Sequence, residues 1–306
     1  MSSRRHFMQQ CALMGAFFAS SPWWSRYGLA EAGMLNRSIP ASGERLPVIG
    51  LGTSRTFDID QASAELQPLR EVMAAFIAGG GKLIDTAPSY RRSEAISGAL
   101  VAGAKARESV FLATKVSSTG REAGLRQIEA SFKALQTDRI DLIQVHNLQD
   151  TQTQLATLRE LKAQGRIRYI GVTHYLESAH DDLLAVLKRE PVDFVQFNYS
   201  VGARGAEKAL LPYCRDHGIA TLINRTYQAG ELFDRVKGKP VPEWASAELD
   251  ATSWAQLMLK FVVADPAVTV VIPATSKPRY MLDNLAAGHG RLPDAGQRQR
   301  IVEAFA

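Results

Sequence analysis

Lys82-Leu83-Ile84-Asp85-Thr86-Ala87-Pro88-Ser89-Tyr90 is a short run, apolar on both faces, that ends in a carboxylate and then breaks at a proline. A strand with one wet face alternates polar and apolar residues, whereas a run apolar on both faces belongs to a parallel sheet covered by helices. Runs of this kind recur eight times, at residues 48–53, 82–86, 110–115, 141–146, 170–173, 194–197, 220–224 and 268–273. Amphipathic segments separate them, among them 64–77, 122–135, 153–164 and 253–263. Eight alternating units predict an α/β fold, a closed (β/α)8 TIM barrel rather than an open sheet. Ahead of the first run, turn residues within 38–46 predict a β-hairpin closing the barrel bottom. The longer stretch at 230–250 reads as irregular and follows the seventh strand, where a barrel carries substrate or cofactor loops. A chain of 306 residues with 46% hydrophobic content holds enough apolar material for one sizeable core, so a single barrel is expected over residues 31–306.

The N-terminus has a different organisation. Ser3-Arg4-Arg5-His6-Phe7-Met8 precedes a mostly apolar stretch at 11–21 and a small-residue end, Gly28-Leu29-Ala30. That layout predicts a twin-arginine signal peptide over residues 1–30, a passage through the twin-arginine translocase and a periplasmic location. The apolar stretch is shorter than the roughly 20 residues needed to span a bilayer. Arg4, Arg5 and Arg26 fall in this leader, which lacks acidic residues, so the formal charge of +5 drops to +2 once it is removed. With no basic stripe interleaved with aromatics in the remainder, a nucleic-acid partner is not expected. Cys214 is then the sole thiol of the mature chain, and no metal-type cysteine spacing is present.

In a parallel barrel, the polar residues that matter sit at the C-terminal ends of strands, because all eight ends converge on one face. The second run ends in Asp85, the third in Lys115 and the fourth in His146, and Tyr90 follows the second. An Asp, a Lys and a His ending adjacent apolar strands are costly to bury apart, and convergence removes that cost. The physical reading is a proton-donor assembly. A phenol of ordinary pKa roughly 10 stands beside a cation that favours phenolate, Asp85 keeps Lys115 charged, and His146 orients a carbonyl oxygen and shares in proton delivery.

The tetrad Asp85, Tyr90, Lys115 and His146 resembles that of the aldo-keto reductases in order and strand position. Leu46-Pro47-Val48-Ile49-Gly50-Leu51-Gly52-Thr53, Ile170-Gly171-Val172-Thr173, Val195-Gln196-Phe197-Asn198-Tyr199 and Ile272-Pro273-Ala274-Thr275-Ser276-Lys277 carry the resemblance further, over about 37–284. It implies NADP as the cofactor, with NAD as the alternative, and reduction of an aldehyde or ketone to an alcohol by hydride transfer from its reduced form, NADPH or NADH, with a small carbonyl compound as substrate. It also implies cofactor contacts at Thr53, Thr173, His174, Gln196, Asn224, Arg225, Thr275, Ser276, Lys277 and Asn284. Thr173, His174 and Gln196 would bind the nicotinamide carboxamide, although the family more often has Ser-Asn where this chain has Thr173-His174. Arg225 stands where the family commonly stacks an aromatic ring, and implies a guanidinium stack or a pyrophosphate contact. Ala274 and Tyr280 replace basic residues found in many NADP-dependent relatives, leaving Lys277 and Arg279 for a 2′-phosphate. Phe57 and Trp244 are candidate apolar walls of the substrate pocket, while Trp254 is expected to pack a helix face. The rival reading is a noncatalytic nucleotide- or ligand-binding barrel exported to the periplasm. An isomerase or lyase is weaker, since no paired carboxylates or Schiff-base setting accompany Lys115.

Overall fold

The computed structural model describes residues 33–305. The leader expected over 1–30 and its cleavage near Ala30 lie outside the described residues. Two short strands open the fold, β1 (Asn36–Ser38) and β2 (Arg45–Pro47), paired antiparallel with Arg37 opposite Leu46. Eight parallel strands follow: β3 (Leu51–Gly52), β4 (Leu83–Asp85), β5 (Phe111–Val116), β6 (Ile140–His146), β7 (Ile167–Thr173), β8 (Phe194–Asn198), β9 (Ala220–Asn224) and β10 (Val270–Val271). Each pairs with its neighbour in chain order, and parallel bridges Ile49↔Val271 and Gly52↔Ala274 bring the first and last together. The predicted barrel is therefore present, with all eight strands in the predicted order.

The seam is where the strands are shorter than the apolar runs suggest. Gly50 N donates to Val271 O at 2.8 Å and Gly52 N to Pro273 O at 3.0 Å. Pro273 has no N–H to return a bond, so the ladder is interrupted there and the seam is held by two isolated bridges on either side of it. In contrast, β7 begins at Ile167, three residues before the run read from the sequence.

Side-chain alternation divides the apolar residues into two clusters. Leu83, Phe111, Leu142, Phe194 and Leu222 point into the barrel and pack with Ile39 and Leu46 of the hairpin. Val145, Val172, Val195, Phe197 and Ile223 point outward to the helical layer. Ile39 is fully buried and Leu46 nearly so, and each stabilises the barrel floor by roughly 1.5–3 kcal/mol. The hairpin loop is further tied down by Tyr169, whose hydroxyl donates to Glu44 Oε2 at 2.8 Å and accepts from Ser42 Oγ at 2.7 Å. These contacts place the hairpin as the predicted plug of the barrel bottom.

The outer layer comprises α1 (Leu66–Ala78), α2 (Ser93–Gly103), α3 (Arg121–Ala134), α4 (Thr151–Ala163), α5 (His180–Leu187), α6 (Leu210–Asp216), α7 (Glu231–Arg235), α8 (Glu243–Leu249), α9 (Trp254–Val263), α10 (Pro278–Ala286) and α11 (Ala295–Ala304). Helices α2 and α3 approach so closely at Gly98 that a Cβ there would lie 2.3 Å from Ala134 O. Ser253 caps α9 by accepting from Gln256 N at 3.0 Å, and Asp294 with Gln297 forms a capping box at α11. The stretch 230–250, read as irregular, contains α7 and α8. Buried Leu232, Ala245 and Leu249 give these short helices an apolar side, but each is too brief to repeat a helical period, and Gly238, Pro240 and Pro242 interrupt the pattern between them. Trp254 packs against a helix as expected, its ring edge-on to Phe305 at 5.0 Å.

Candidate active site

The ends of β4, β5 and β6 bring Asp85, Lys115 and His146 to one face, and the 3₁₀ turn Pro88–Tyr90 carries Tyr90 back over them. Lys115 Nζ lies 2.7 Å from Asp85 Oδ2 and donates to Thr86 O at 2.8 Å; its side chain is 0% exposed and that of Asp85 3%. The same ammonium lies 4.9 Å from the centre of the Tyr90 ring. The Tyr90 and His146 rings meet edge to face at 6.0 Å, and Ser89 Oγ is 3.3 Å from His146 Nδ1. All four residues of the expected tetrad converge.

Protonation follows from this packing. Burial would push the Lys115 ammonium down, but Asp85 and Tyr90 outweigh it and hold the pKa above its ordinary value. Tyr90 departs from the sequence expectation: burial pushes the phenol above its ordinary value, with Lys115 pulling the other way. The hydroxyl therefore stays protonated at neutral pH, and the role of Lys115 is to limit the cost of phenolate once the proton has left. Burial first, and the nearby cation Lys115 second, push His146 from 6.5 down to about 3. His146 is thus a neutral imidazole, able to donate a single N–H bond to a carbonyl oxygen. It is not a cationic acid, which removes the shared proton delivery.

Asp85 has further donors. Gln196 Nε2 donates to its Oδ1 at 2.8 Å, and Gln144 Nε2 reaches the same oxygen at 3.4 Å. Gln144 was not among the residues picked from the sequence, yet it lies two positions before His146 in β6, on the same strand face. Gly171 makes room for it, since a Cβ there would lie 3.2 Å from Gln144 Cγ and 2.7 Å from Phe194 O.

The expected cofactor residues line the same face from β7 round to α10. Gln196 Oε1 accepts from Thr173 Oγ1 at 3.2 Å and Asn224 Nδ2 at 3.4 Å, so one amide joins Thr173 and Asn224 to Asp85. Asn224 Oδ1 is buried and has no protein partner among the described residues. A primary amide such as a carboxamide, with N–H to give, fits that orphaned acceptor. His174 lies at the rim, its ring stacked with Tyr175 at 5.6 Å and its Nδ1 accepting from Leu176 N at 3.2 Å. Arg225 adopts a left-handed φ of 53° and places its guanidinium 5.4 Å from the Tyr175 ring. Thr53 donates to Asp85 O at 3.0 Å and thereby braces the start of the Tyr90 turn.

At the start of α10, Lys277 N donates to Thr275 Oγ1 at 3.1 Å, Ser276 is half-buried, and Pro278 opens the helix. Lys277 Nζ and the Arg279 guanidinium flank the exposed Tyr280 ring at 5.6 and 4.7 Å. One turn on, buried Asn284 accepts from Tyr227 OH at 2.6 Å, joining α10 to the loop after β9. The two proposed pocket walls are elsewhere. Phe57 is fully buried in the core between barrel and helices, and Trp244 lies under Arg300 at 4.2 Å, packed against that same core. Both were selected for loop position, which does not reveal side-chain direction.

The sequence profile described as "Aldo/keto reductase family" matches residues 48–303. Aldo-keto reductase YhdN of Bacillus subtilis (strain 168) is 33% identical over 201 residues, covering 61% of this chain and 60% of that protein. Methylglyoxal reductase YeaE of Escherichia coli (strain K12) is 31% identical over 264 residues, covering 83% of this chain and 89% of that protein. Among solved structures, an aldo/keto reductase from Klebsiella pneumoniae in complex with NADP and acetate superposes with a TM-score of 0.71 at 27% identity, over 86% of this chain and 93% of that one.

Proposed function

The chain belongs to the aldo/keto reductase family, and on that premise we propose that it reduces a small reactive carbonyl compound, an aldehyde or an α-oxoaldehyde, with NADPH as cofactor and Tyr90 as proton donor. The observation that carries the reading is the Lys115–Asp85 pair, 2.7 Å apart, buried, and set beneath the Tyr90 ring. When bound, the nicotinamide supplies the hydride. Thr173, Gln196 and Asn224 would hold its carboxamide, Arg225 would meet the ring or the pyrophosphate, and Asn284 with the start of α10 would hold the far end. Lys277 and Arg279, exposed beside a helix N-terminus, suit the 2′-phosphate of NADP.

The residues of this chain then divide the work. Neutral His146 donates one N–H bond to the substrate oxygen and sets its direction. Tyr90, protonated because of its burial, gives its proton to the oxyanion as negative charge develops there. Lys115 offsets the phenolate left behind, and Asp85, gripped by Gln196, keeps Lys115 charged and aimed. The methylglyoxal-reducing relative supports an α-oxoaldehyde as the class to try first.

The test is a fluorescence titration of residues 31–306 with NADPH and NADH, followed by a carbonyl panel including methylglyoxal. Binding of NADPH with turnover that falls by about 10²–10⁴ in Tyr90→Phe supports the proposal. Binding without turnover across the panel sinks it and supports the noncatalytic barrel, whereas activity indifferent to Tyr90→Phe overturns Tyr90 as the proton donor. The proposal extends to export of the folded, cofactor-loaded chain through the twin-arginine translocase to the periplasm. Its support is the Arg4-Arg5 leader alone. Fractionation of cells expressing the full chain and an Arg4→Lys/Arg5→Lys variant checks it, and equal cytoplasmic retention of both would count against export.

A further inference from the structure

The residue after Tyr90 has an unusual backbone. Arg91 adopts φ 58° and ψ −110°, a region that suits glycine and is strained for a residue with a Cβ. It is the one residue between the 3₁₀ turn that carries Tyr90 and Arg92, the N-cap of α2. Strain of this kind persists only where neighbouring groups over-determine the conformation. At Arg91 one carboxylate does so. Asp58 Oδ2 accepts from Arg91 Nη1 at 3.2 Å, and its Oδ1 accepts from Arg92 Nε at 3.0 Å and Arg92 N at 3.4 Å.

Asp58 is itself well anchored. Its side chain is 16% exposed, against 80% and 55% for the two arginines, so the carboxylate is the fixed partner and the guanidinia come to it. Phe57, immediately before it, is fully buried and its N–H donates to Thr53 O at 3.1 Å. Thr53 in turn gives its N–H and hydroxyl to Asp85 O at 3.1 and 3.0 Å, and Ser93 Oγ donates to Thr53 O at 3.4 Å. The loop after β3 therefore holds the Tyr90 turn before and after the tyrosine, with Asp58 making the contacts on the far side.

We propose that Asp58 is a positioning residue for Tyr90: its grip on Arg91 and Arg92 holds the strained peptide that aims the phenol over Lys115. This rests on the reading of Tyr90 as proton donor. Without Asp58, Arg91 relaxes towards the right-handed region, the turn rotates, and the hydroxyl loses its place. Displacement of a reacting group by about 1 Å is enough to slow a reaction by roughly 10²-fold. A bond that acts through Tyr90 leaves nucleotide affinity nearly unchanged, because apart from Thr53 the expected cofactor residues lie between β7 and α10, away from Asp58.

Crystal structures and kinetics of Asp58→Ala and Asp58→Asn test the inference, alongside Tyr90→Phe and the Asp58→Ala/Tyr90→Phe double variant. In Asp58→Ala, φ of Arg91 should turn negative, with kcat down by up to about 10²-fold and both KM and the NADPH Kd little changed. Asp58→Asn keeps an acceptor for Arg92 and should fall between wild type and Asp58→Ala. In the Tyr90→Phe background the Asp58→Ala change should have no further effect on kcat, which a purely structural role would not produce. Arg91 and Tyr90 unmoved in the Asp58→Ala crystal, with kcat intact, overturns the proposal. Wild-type kcat in Tyr90→Phe alone would instead overturn the donor reading, while the crystal structures would still decide the positioning.

Discussion

Replacing Lys115 with Met removes a cation and leaves a carboxylate behind. At 2.7 Å the Lys115–Asp85 attraction is about 6 kcal/mol for an effective dielectric of roughly 20, and much of it offsets the cost of burying both charges. In Lys115→Met, Asp85 retains only the amide donors Gln196 at 2.8 Å and Gln144 at 3.4 Å. Breaking such a buried pair costs about 3–5 kcal/mol, because the remaining charge is uncompensated. At about 2–4 °C per kcal/mol for a large domain, Tm should fall by roughly 6–20 °C. Asp85→Asn should cost a similar amount, leaving Lys115 with the neutral acceptors Thr86 O and the Tyr90 hydroxyl. The Lys115→Met/Asp85→Asn double variant buries no charge, and should be more stable than either single variant while remaining inactive. Urea unfolding followed by circular dichroism, with NADPH turnover measured on the same samples, gives both halves. If either single variant loses less than about 1 kcal/mol, or the two losses add in the double variant, the argument that the pair is coupled and buried is refuted.

Other outcomes follow from single contacts. His146 titrates at about 3 in the folded chain against 6.5 unfolded, so between these values the unfolded chain binds more protons and stability falls as pH drops; acid unfolding of His146→Gln should be shallower across pH 6.5 to 3, and an unchanged profile would contradict a buried neutral imidazole. Cys214 is fully buried and burial pushes its thiol up to about 12, so a thiol reagent should label it only at the rate of unfolding; rapid labelling of the native chain would show the burial to be wrong. Gly98→Ala forces a Cβ within 2.3 Å of Ala134 O and should cost about 1–3 kcal/mol by overpacking α2 against α3, read as a lower urea midpoint; no change would mean that the helices can separate freely.

The site is more polar below the surface than its four named residues suggest. Gln144 and Gln196 both meet Asp85, which places a carboxylate with one ammonium and two amides inside a barrel otherwise filled by residues such as Leu83, Leu142 and Leu222. Such a network gains its strength from low local dielectric, and the same low dielectric makes it costly to leave any one member unpaired.

Periodicity in the sequence determined the barrel, because a parallel strand buried on both faces must be apolar on both. The same rule made the exceptions visible: Asp85, Lys115 and His146 end apolar runs, and strand ends converge whatever the loops do. The hairpin at 38–46 was legible from its turn residues, and Ile39 and Leu46 supply the floor that it provides. Directions and protonation states required the tertiary structure. Phe57 turns into the core and Trp244 packs under Arg300 because each follows its own loop, and loop geometry has no period to read. Tyr90 lies above its ordinary pKa and His146 far below, since desolvation depends on which atoms surround a group in space. The contacts of Asp58 with Arg91 and Arg92 span more than thirty positions, and nothing local to either segment announces them. A side chain's partners across the fold are set by packing, which a linear pattern of apolar and polar residues constrains only in outline.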